Sequence, residues 1–583
     1  MTRIPTFARL AVTGLAVLAA CAKPPAPPQP VATKPPTNMP AAWPLYARTK
    51  AVTAPGAMVV SGNPMASEVG VQILKQGGNA VDAAVAVGFA LDVVHSEAGN
   101  IGGGGFMVIR TADGKATTLD YRETAPGKAS HDMYLDAQGK LTDKSLNGRL
   151  ASGVPGSVAG MAEAQRRYGK LTWQQVVAPA VKLARDGVVE NEFESGSIAQ
   201  SARRLSQYPA SRAQFLPGGH APKPGSTFKQ PELAATLQAI ADSGPDVFYK
   251  GHIADLIVKE MKRGDGIITR ADLADYKPIW RDPITIKYRG YTIYSMPPSS
   301  SGGITMGEAL NILEGYDPLP PFNSAQYVHV FAEAMRRAFI DRNQYLGDPA
   351  FVSMPIDRLL SKQYAAELRS QIKPDRATPT PPFVAGSKEG TNTTHYSVVD
   401  AQGNAVSVTT TLNSSFGSGV TVTGAGFLLN NEMDDFASAP GRPNQFGLVQ
   451  GEANAIQPGK RMLSAMTPTI VLDPQGNVFM VVGSPGGPTI ITSVAEVIIN
   501  VVDFHMSLAD AVAVNRIHEQ ALPDVLFYER GGLLPATVDQ LKSMGYKVDE
   551  RRGYQGDIAA IERRGNSWVG VADPRRGGGA AGY

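Results

Sequence analysis

The chain has 583 residues, of which 43% are hydrophobic and 18% charged, enough apolar material for one large core or several smaller ones. Its 55 basic and 52 acidic residues leave a formal net charge of +3 and are spread along the length, which offers no polyphosphate track and argues against a nucleic-acid partner. The 61 glycines and 44 prolines favour tight turns over long helices, and the single cysteine, Cys21, leaves no partner for a disulfide.

At the start of the chain, Arg3 and Arg9 precede an apolar run over residues 10–20 that is short for a membrane span and right for a secretion signal. Leu18-Ala19-Ala20-Cys21 resembles a bacterial lipoprotein processing site. Residues 1–20 are therefore expected to be removed and Cys21 to carry a lipid, the alternative being an ordinary signal peptide with an incidental cysteine. Residues 21–53 are a Pro-rich spacer that would hold a domain off a surface. Folded sequence is expected from Ala54. Asn63-Pro64 opens a helix with apolar Met65, Val69, Ile73 and Leu74, closed by Gly77-Gly78. Asn79 caps a second run, 81–91, that is apolar nearly all round and so predicts a buried helix. Residues 106–111 and 116–122 flank Ala-Asp-Gly-Lys and predict a hairpin with Arg122 at a strand end. From 157 to 345 the pattern is mostly helical, clearest at 170–184, 231–242 and 324–341, and reads as scaffold.

Residues 374–392 carry Pro374, Pro379, Pro381, Pro382, Gly386 and Gly390 among polar residues, the composition of an exposed connector. The pattern then changes. Thr393-Thr394 opens a strand-like stretch to 399, and after Asp-Ala-Gln-Gly-Asn a second follows at 405–412; 467–472 and 478–482 form a further hairpin, with a helix at 489–502. By itself the threonine pair is a strand start, since β-branched residues suit strands. Hairpins layered between helices predict an α+β layered fold, an αββα four-layer sandwich. The Gly102 to Gly105 run lacks a Gly-Lys-Ser/Thr ending and reads as a turn, and Ser299-Ser300-Ser301 lacks the setting of a nucleophile. Eight scattered histidines without His-Glu-x-x-His give no reason to expect a metal or cofactor, and strand alternation makes His395 structural.

Thr-Thr-His-Tyr-Ser-Val-Val-Asp (393–400), Leu-Leu-Asn-Asn-Glu-Met-Asp-Asp-Phe (428–436), Pro-Thr-Ile (468–470) and Gly-Ser-Pro-Gly-Gly (483–487) occur in order. With Gly-Gly-Gly-Gly-Phe-Met (102–107), Tyr-Arg-Glu-Thr-Ala-Pro (121–126) and the closing Ala-Gly-Tyr, they resemble the γ-glutamyltransferase family of N-terminal-nucleophile hydrolases from about residue 54 onward. That resemblance implies an inactive precursor that cuts itself between Asn392 and Thr393, leaving a large fragment, 54–392, and a small one, 393–583, joined as a heterodimer. The freed α-amino group of Thr393, with a reference pKa of about 7.7 to 8.0, would be the base for its own hydroxyl. The family pattern further implies that Thr411 touches the new N-terminus and that Gly486 and Gly487 form an oxyanion hole. Arg122 and Ser464 would hold a substrate α-carboxylate, and Asn413, Glu432 and Asp435 an α-ammonium. Asp434 is expected in a solvated acidic turn.

Three positions depart from the pattern. Many relatives have Ser-Ser where this chain has Ser464-Ala465, some bacterial members have tyrosine where Phe446 lies in the loop 437–454, and Pro488-Thr489 stands where others often have Ser-Arg. The expected function is transfer of the γ-glutamyl group of glutathione or its conjugates to water or to an amino acid or peptide. The protein would be exported and lipid-anchored at the periplasmic face of a bacterial membrane. A related acylase acting on glutaryl or other acyl amides is the near alternative, and would not need the ammonium-binding acids. A tethered solute-binding lipoprotein is the alternative of a different class, and would not cut itself.

Overall fold

The computed structural model describes residues 1–2, 38–380 and 393–583. The apolar run at 10–20, Cys21, the first half of the Pro-rich spacer and Asn392 lie outside these residues.

Two seven-stranded sheets, antiparallel at every pairing, form the centre of the fold. The first runs Ala51–Ala54, Ser567–Ala572, Ala559–Arg564, Val478–Gly483, Thr469–Leu472, Tyr291–Ser295, Ile284–Tyr288; the second runs Gly579–Gly582, Met58–Ser61, Thr393–Val399, Ala405–Thr411, Gly104–Arg110, Ala116–Asp120, Ile279–Arg281. Side-chain alternation assigns each face. Met58, Val60, Val108, Val399 and Ala405 of the second sheet share an apolar cluster with Ile470, Val481, Ile561 and Trp568 of the first, so the sheets pack face to face. The intervening Val59, Met107, Ile109, Tyr396 and Val398 turn outward against helices Pro64–Lys75 and Ala80–Val94. On the far side, Ile286, Ile293, Val471, Met480 and Val482 meet helices Gly302–Leu313, Ala325–Tyr345 and Thr489–Val502. This is the expected αββα stack.

The helix starts follow from local chemistry. Asn63 accepts from the Met65 N–H at 3.0 Å with Pro64 at the first helical position. Asn79 accepts from the N–H groups of Val81 and Asp82, while Asp82 accepts from the Asn79 N–H at 2.7 Å, a complete capping box at the head of the fully buried helix Ala80–Val94. The mid-chain stretch is mostly helical, as expected, but it also holds short strands. Ile279–Arg281 joins the edge of the second sheet, and Ile284–Tyr288 with Tyr291–Ser295 forms the edge hairpin of the first, so a few residues around Pro283 carry the chain from one sheet to the other. Gly104 and Gly105 likewise open a strand and are not a loop.

Candidate active site

Thr393 opens a central strand and pairs in register with Thr411, which pairs in turn with Gly104, while Phe106 pairs with Asp120. Four strand ends therefore meet at one edge of the second sheet. Thr393 faces the other sheet, as do His395 and Ser397, whose hydroxyl donates to the Ala559 carbonyl at 2.9 Å. Across this gap, strand Val478–Gly483 of the first sheet runs into the turn that carries Gly486 and Gly487. The threonine thus sits at the open end of the space between the sheets.

The Thr393 hydroxyl donates to the Thr411 hydroxyl at 3.4 Å, and Thr411 Oγ1 also accepts from the Asn413 N–H at 2.7 Å. Asn413 holds a left-handed backbone, φ 76°, which asparagine tolerates better than most residues, and its side-chain amide donates to the Asn431 carbonyl at 2.9 Å. That bond ties the end of the strand Ala405–Thr411 to the turn Glu432–Asp435. The two hydroxyls border a small cavity whose walls include Arg122, Arg342, Asn413, Glu432, Asp435 and Ser464. Phe446, Ala465, Gly487 and Pro488 also line it. Gly486 lies one step behind, where an added Cβ would fall 2.4 Å from Thr489 Oγ1. Gly487, at φ 57°, packs under the Phe446 ring, and both glycines stand just ahead of the positive end of the buried helix Thr489–Val502.

Arg122 follows strand Ala116–Asp120 and is wholly buried. Its Nη1 donates to Glu432 and its Nη2 to Asp435, with Glu123 Oε2 3.7 Å from Nη1 and the Met462 carbonyl 3.3 Å from Nε. Burial opposes the charge on Arg122, but Glu432, Asp435 and Glu123 outweigh it and hold the guanidinium protonated. Two buried carboxyls, Glu432 and Glu123, and the partly buried Asp435 crowd this one guanidinium. Burial pushes Glu432 well above the usual carboxylate range and Glu123 to about 7, with Arg122 opposing in each case. A side chain at Gly104 would collide with its surroundings, since its Cβ would fall 2.6 Å from Glu123 Oε2 and 2.7 Å from the Tyr121 carbonyl oxygen.

Ser464 is placed by the serine run that precedes helix Gly302–Leu313. Ser299 accepts from the Ser464 N–H at 2.9 Å through its carbonyl, Ser301 donates to the Ser464 carbonyl at 2.6 Å, and Ser300 donates to the Met466 carbonyl at 2.6 Å. These serines are struts. His395 is buried, bonded to Thr409 and Ser397, and lowered to about 3 by burial, so it stays neutral. Asp434 corrects its expectation: it is buried, accepts from Ser145 at 2.7 Å and from the Gln445 N–H at 3.3 Å, and anchors the loop over the cavity. Two polar residues of this site went unassigned in the sequence. Glu123 adjoins Arg122 within the Tyr-Arg-Glu-Thr-Ala-Pro string, and Arg342 lies in helix Ala325–Tyr345, where five charged residues, at 333, 336, 337, 341 and 342, are buried.

Residues 66–583 match the gamma-glutamyltranspeptidase family. The chain is 45% identical to the glutathione hydrolase proenzyme of Escherichia coli (strain K12) over 98% of each sequence. It is 47% identical to that of Pseudomonas aeruginosa over 90% of this chain and 94% of the relative. Among solved structures, the cephalosporin acylase from Bacillus halodurans superposes with a TM-score of 0.83 at 29% identity, covering 93% of this chain and 99% of that one.

Proposed function

The chain belongs to the gamma-glutamyltranspeptidase family, and from that premise we propose that it is a self-processing γ-glutamyltransferase and glutathione hydrolase. Thr393 is its nucleophile once the bond to Asn392 is cut. The observation that carries this reading is one small cavity with paired threonine hydroxyls on one wall and a buried cation between two carboxylates on another. That charge arrangement complements a zwitterion. A γ-glutamyl group brings an α-carboxylate to Arg122 and Ser464, releasing the carboxyl groups of Glu432 and Asp435 to take its α-ammonium with Asn413.

With the head so held, the γ-carbonyl lies at Thr393. Its hydroxyl attacks the carbonyl carbon, the neutral α-amine accepts the hydroxyl proton with Thr411 bonded beside it, and the tetrahedral oxyanion is met by the N–H groups of Gly486 and Gly487. Collapse expels the amine half of the donor, which takes the proton, and leaves a threonyl ester. Water then gives glutamate, or an acceptor amine takes the acyl group. The fold is shared with an acylase and does not choose between the two chemistries. The acids facing Arg122 favour the γ-glutamyl reading, because a glutaryl group has no ammonium for them. Denaturing gels and paired assays test this. The unaltered protein should run as two fragments, the smaller beginning at Thr393, and should prefer γ-glutamyl over glutaryl anilides; Thr393→Ala should run as one inactive chain. Preference for the glutaryl anilide, or an active uncut Thr393→Ala chain, would overturn it.

The order of basic, apolar and Cys-Pro-rich segments at the start supports export and lipid attachment at Cys21 on the periplasmic face of a membrane. Cys21→Ser should move the protein from membranes to the soluble fraction; unchanged partition would exclude the anchor.

A further inference from the structure

We propose that Arg342 is a second cation for the substrate α-carboxylate, donating from Nη2 beside Arg122 and Ser464, and that it determines how strictly this enzyme requires a carboxylate at that end of its substrate. The proposal rests on the γ-glutamyl reading of the cavity and assigns it a residue from the helical layer.

Arg342 is 1% exposed and forms part of the cavity wall. Its guanidinium is held on two sides: Nε donates to Ser301 Oγ at 2.9 Å, and Nη1 donates to Asn343 Oδ1 at 2.9 Å and Gln450 Oε1 at 3.4 Å. The third side, Nη2, is buried and has no hydrogen-bond partner among the described residues. Other interior arginines have a carboxylate close by: Arg516 and Arg575 both pair with Asp573, and Arg336 pairs with Asp524. Arg342 forms no such pair among the described residues. Burial lowers it to about 10, with the charge of Asp435 opposing, so it remains a cation at neutral pH. A buried cation with an open N–H is costly until an anion arrives, and a planar guanidinium suits a carboxylate.

Its position identifies which carboxylate. Ser301 accepts from Arg342 and donates onward to the Ser464 carbonyl at 2.6 Å, so the guanidinium is one hydroxyl away from the Ser464-Ala465 backbone. Ala465 lines the same cavity and brings only a methyl group. Gln450, bonded to Nη1, also donates to the Asp435 carbonyl at 3.1 Å. Arg342 therefore stands at the head-group end, on the wall where Ala465 supplies no donor.

The opposing possibility is that Arg342 only braces Gln450 and Asp435, on the ammonium side. Glutarate separates the two, because it has the carboxylate and lacks the ammonium. In Arg342→Lys and Arg342→Gln, KM for a γ-glutamyl anilide should rise tenfold or more with kcat within threefold, and inhibition by L-glutamate and by glutarate should weaken in step. Adding Ala465→Ser should recover at least threefold of the lost affinity. Weakening confined to L-glutamate, loss in kcat alone, or no recovery with Ala465→Ser would overturn the proposal. If the Arg342 variants are not cut into two fragments, Ala465→Ser alone should tighten glutarate binding, and an unchanged inhibition constant counts against the assignment. An unaltered enzyme that prefers glutaryl substrates would defeat the γ-glutamyl reading while leaving the carboxylate test of Arg342 intact.

Discussion

Thr411 shows how much a single hydroxyl can carry at this site. It accepts the Asn413 N–H and faces the Thr393 hydroxyl, so it joins the proposed nucleophile to the residue that begins the head-group wall. Thr411→Val keeps the shape and removes at least these two bonds. Each is worth about 1 kcal/mol, and the buried N–H left unpaired costs about 1 to 3 kcal/mol, so kcat should fall about tenfold to a hundredfold, with much of the loss restored in Thr411→Ser. Steady-state kinetics on cut protein decides it, and a valine variant at full rate would remove Thr411 from the chemistry. Thr393, Arg122, Glu432 and Asp435 could be named from their strings and Thr411 from its match to the family pattern, yet their mutual geometry could not. Nothing in the residue order says that Arg122 spends the unliganded state bonded to the two acids proposed for the ammonium. Asp434, expected in solvent, is buried because Ser145, far away in sequence, meets it.

At the scale of elements, the sequence was most legible where local chemistry decides. Helix Thr489–Val502 has the predicted bounds, and the hairpin strands Thr393–Val399 and Ala405–Thr411 agree with prediction to within one residue. The strands between 279 and 295 were missed although burial alternates along Ile284–Tyr288, because they are short and lie between long helical patterns. Their role as edges of two different sheets depends on pairing with residues far off in the chain. Capping makes a separable prediction. Asn79→Ala removes the side-chain acceptor for Val81 and Asp82 at the head of helix Ala80–Val94 and should cost about 1 kcal/mol of stability. KM and kcat should stay as they are, since that helix end is distant from the cavity walls. Denaturant melts of the uncut Thr393→Ala chain with and without the change measure it, and coincident curves would mean the cap contributes nothing.

Across the whole molecule, the buried ionisable groups make stability depend on pH. Burial raises Glu123, Glu190 and Asp557 to about 7, and Asp92 and Glu519 to about 8. For His95 burial acts downward, but Glu194 and its other acidic neighbours outweigh it and raise the group to about 9. Between about pH 6.5 and 9 the folded chain therefore holds protons that the unfolded chain has released, and stability falls as pH rises through that window. His395 and His518, both lowered to about 3 by burial, act in the opposite sense only below about pH 6.5, where the unfolded chain takes up their protons. The uncut Thr393→Ala chain should melt at a lower temperature at pH 9 than at pH 6.5, and a flat or rising melting temperature by calorimetry would contradict these assignments. By itself the sequence determined the layer order, the family and the residues proposed for the nucleophile and head group, because periodicity, caps and ordered strings are local. Only the tertiary structure decided which strand ends meet at Thr393, that Arg122 is shared among three acids, and that Arg342 reaches the cavity from a helix outside the sheets. Each of these depends on contacts between segments hundreds of residues apart, and burial there sets the charge of a group more strongly than its identity does.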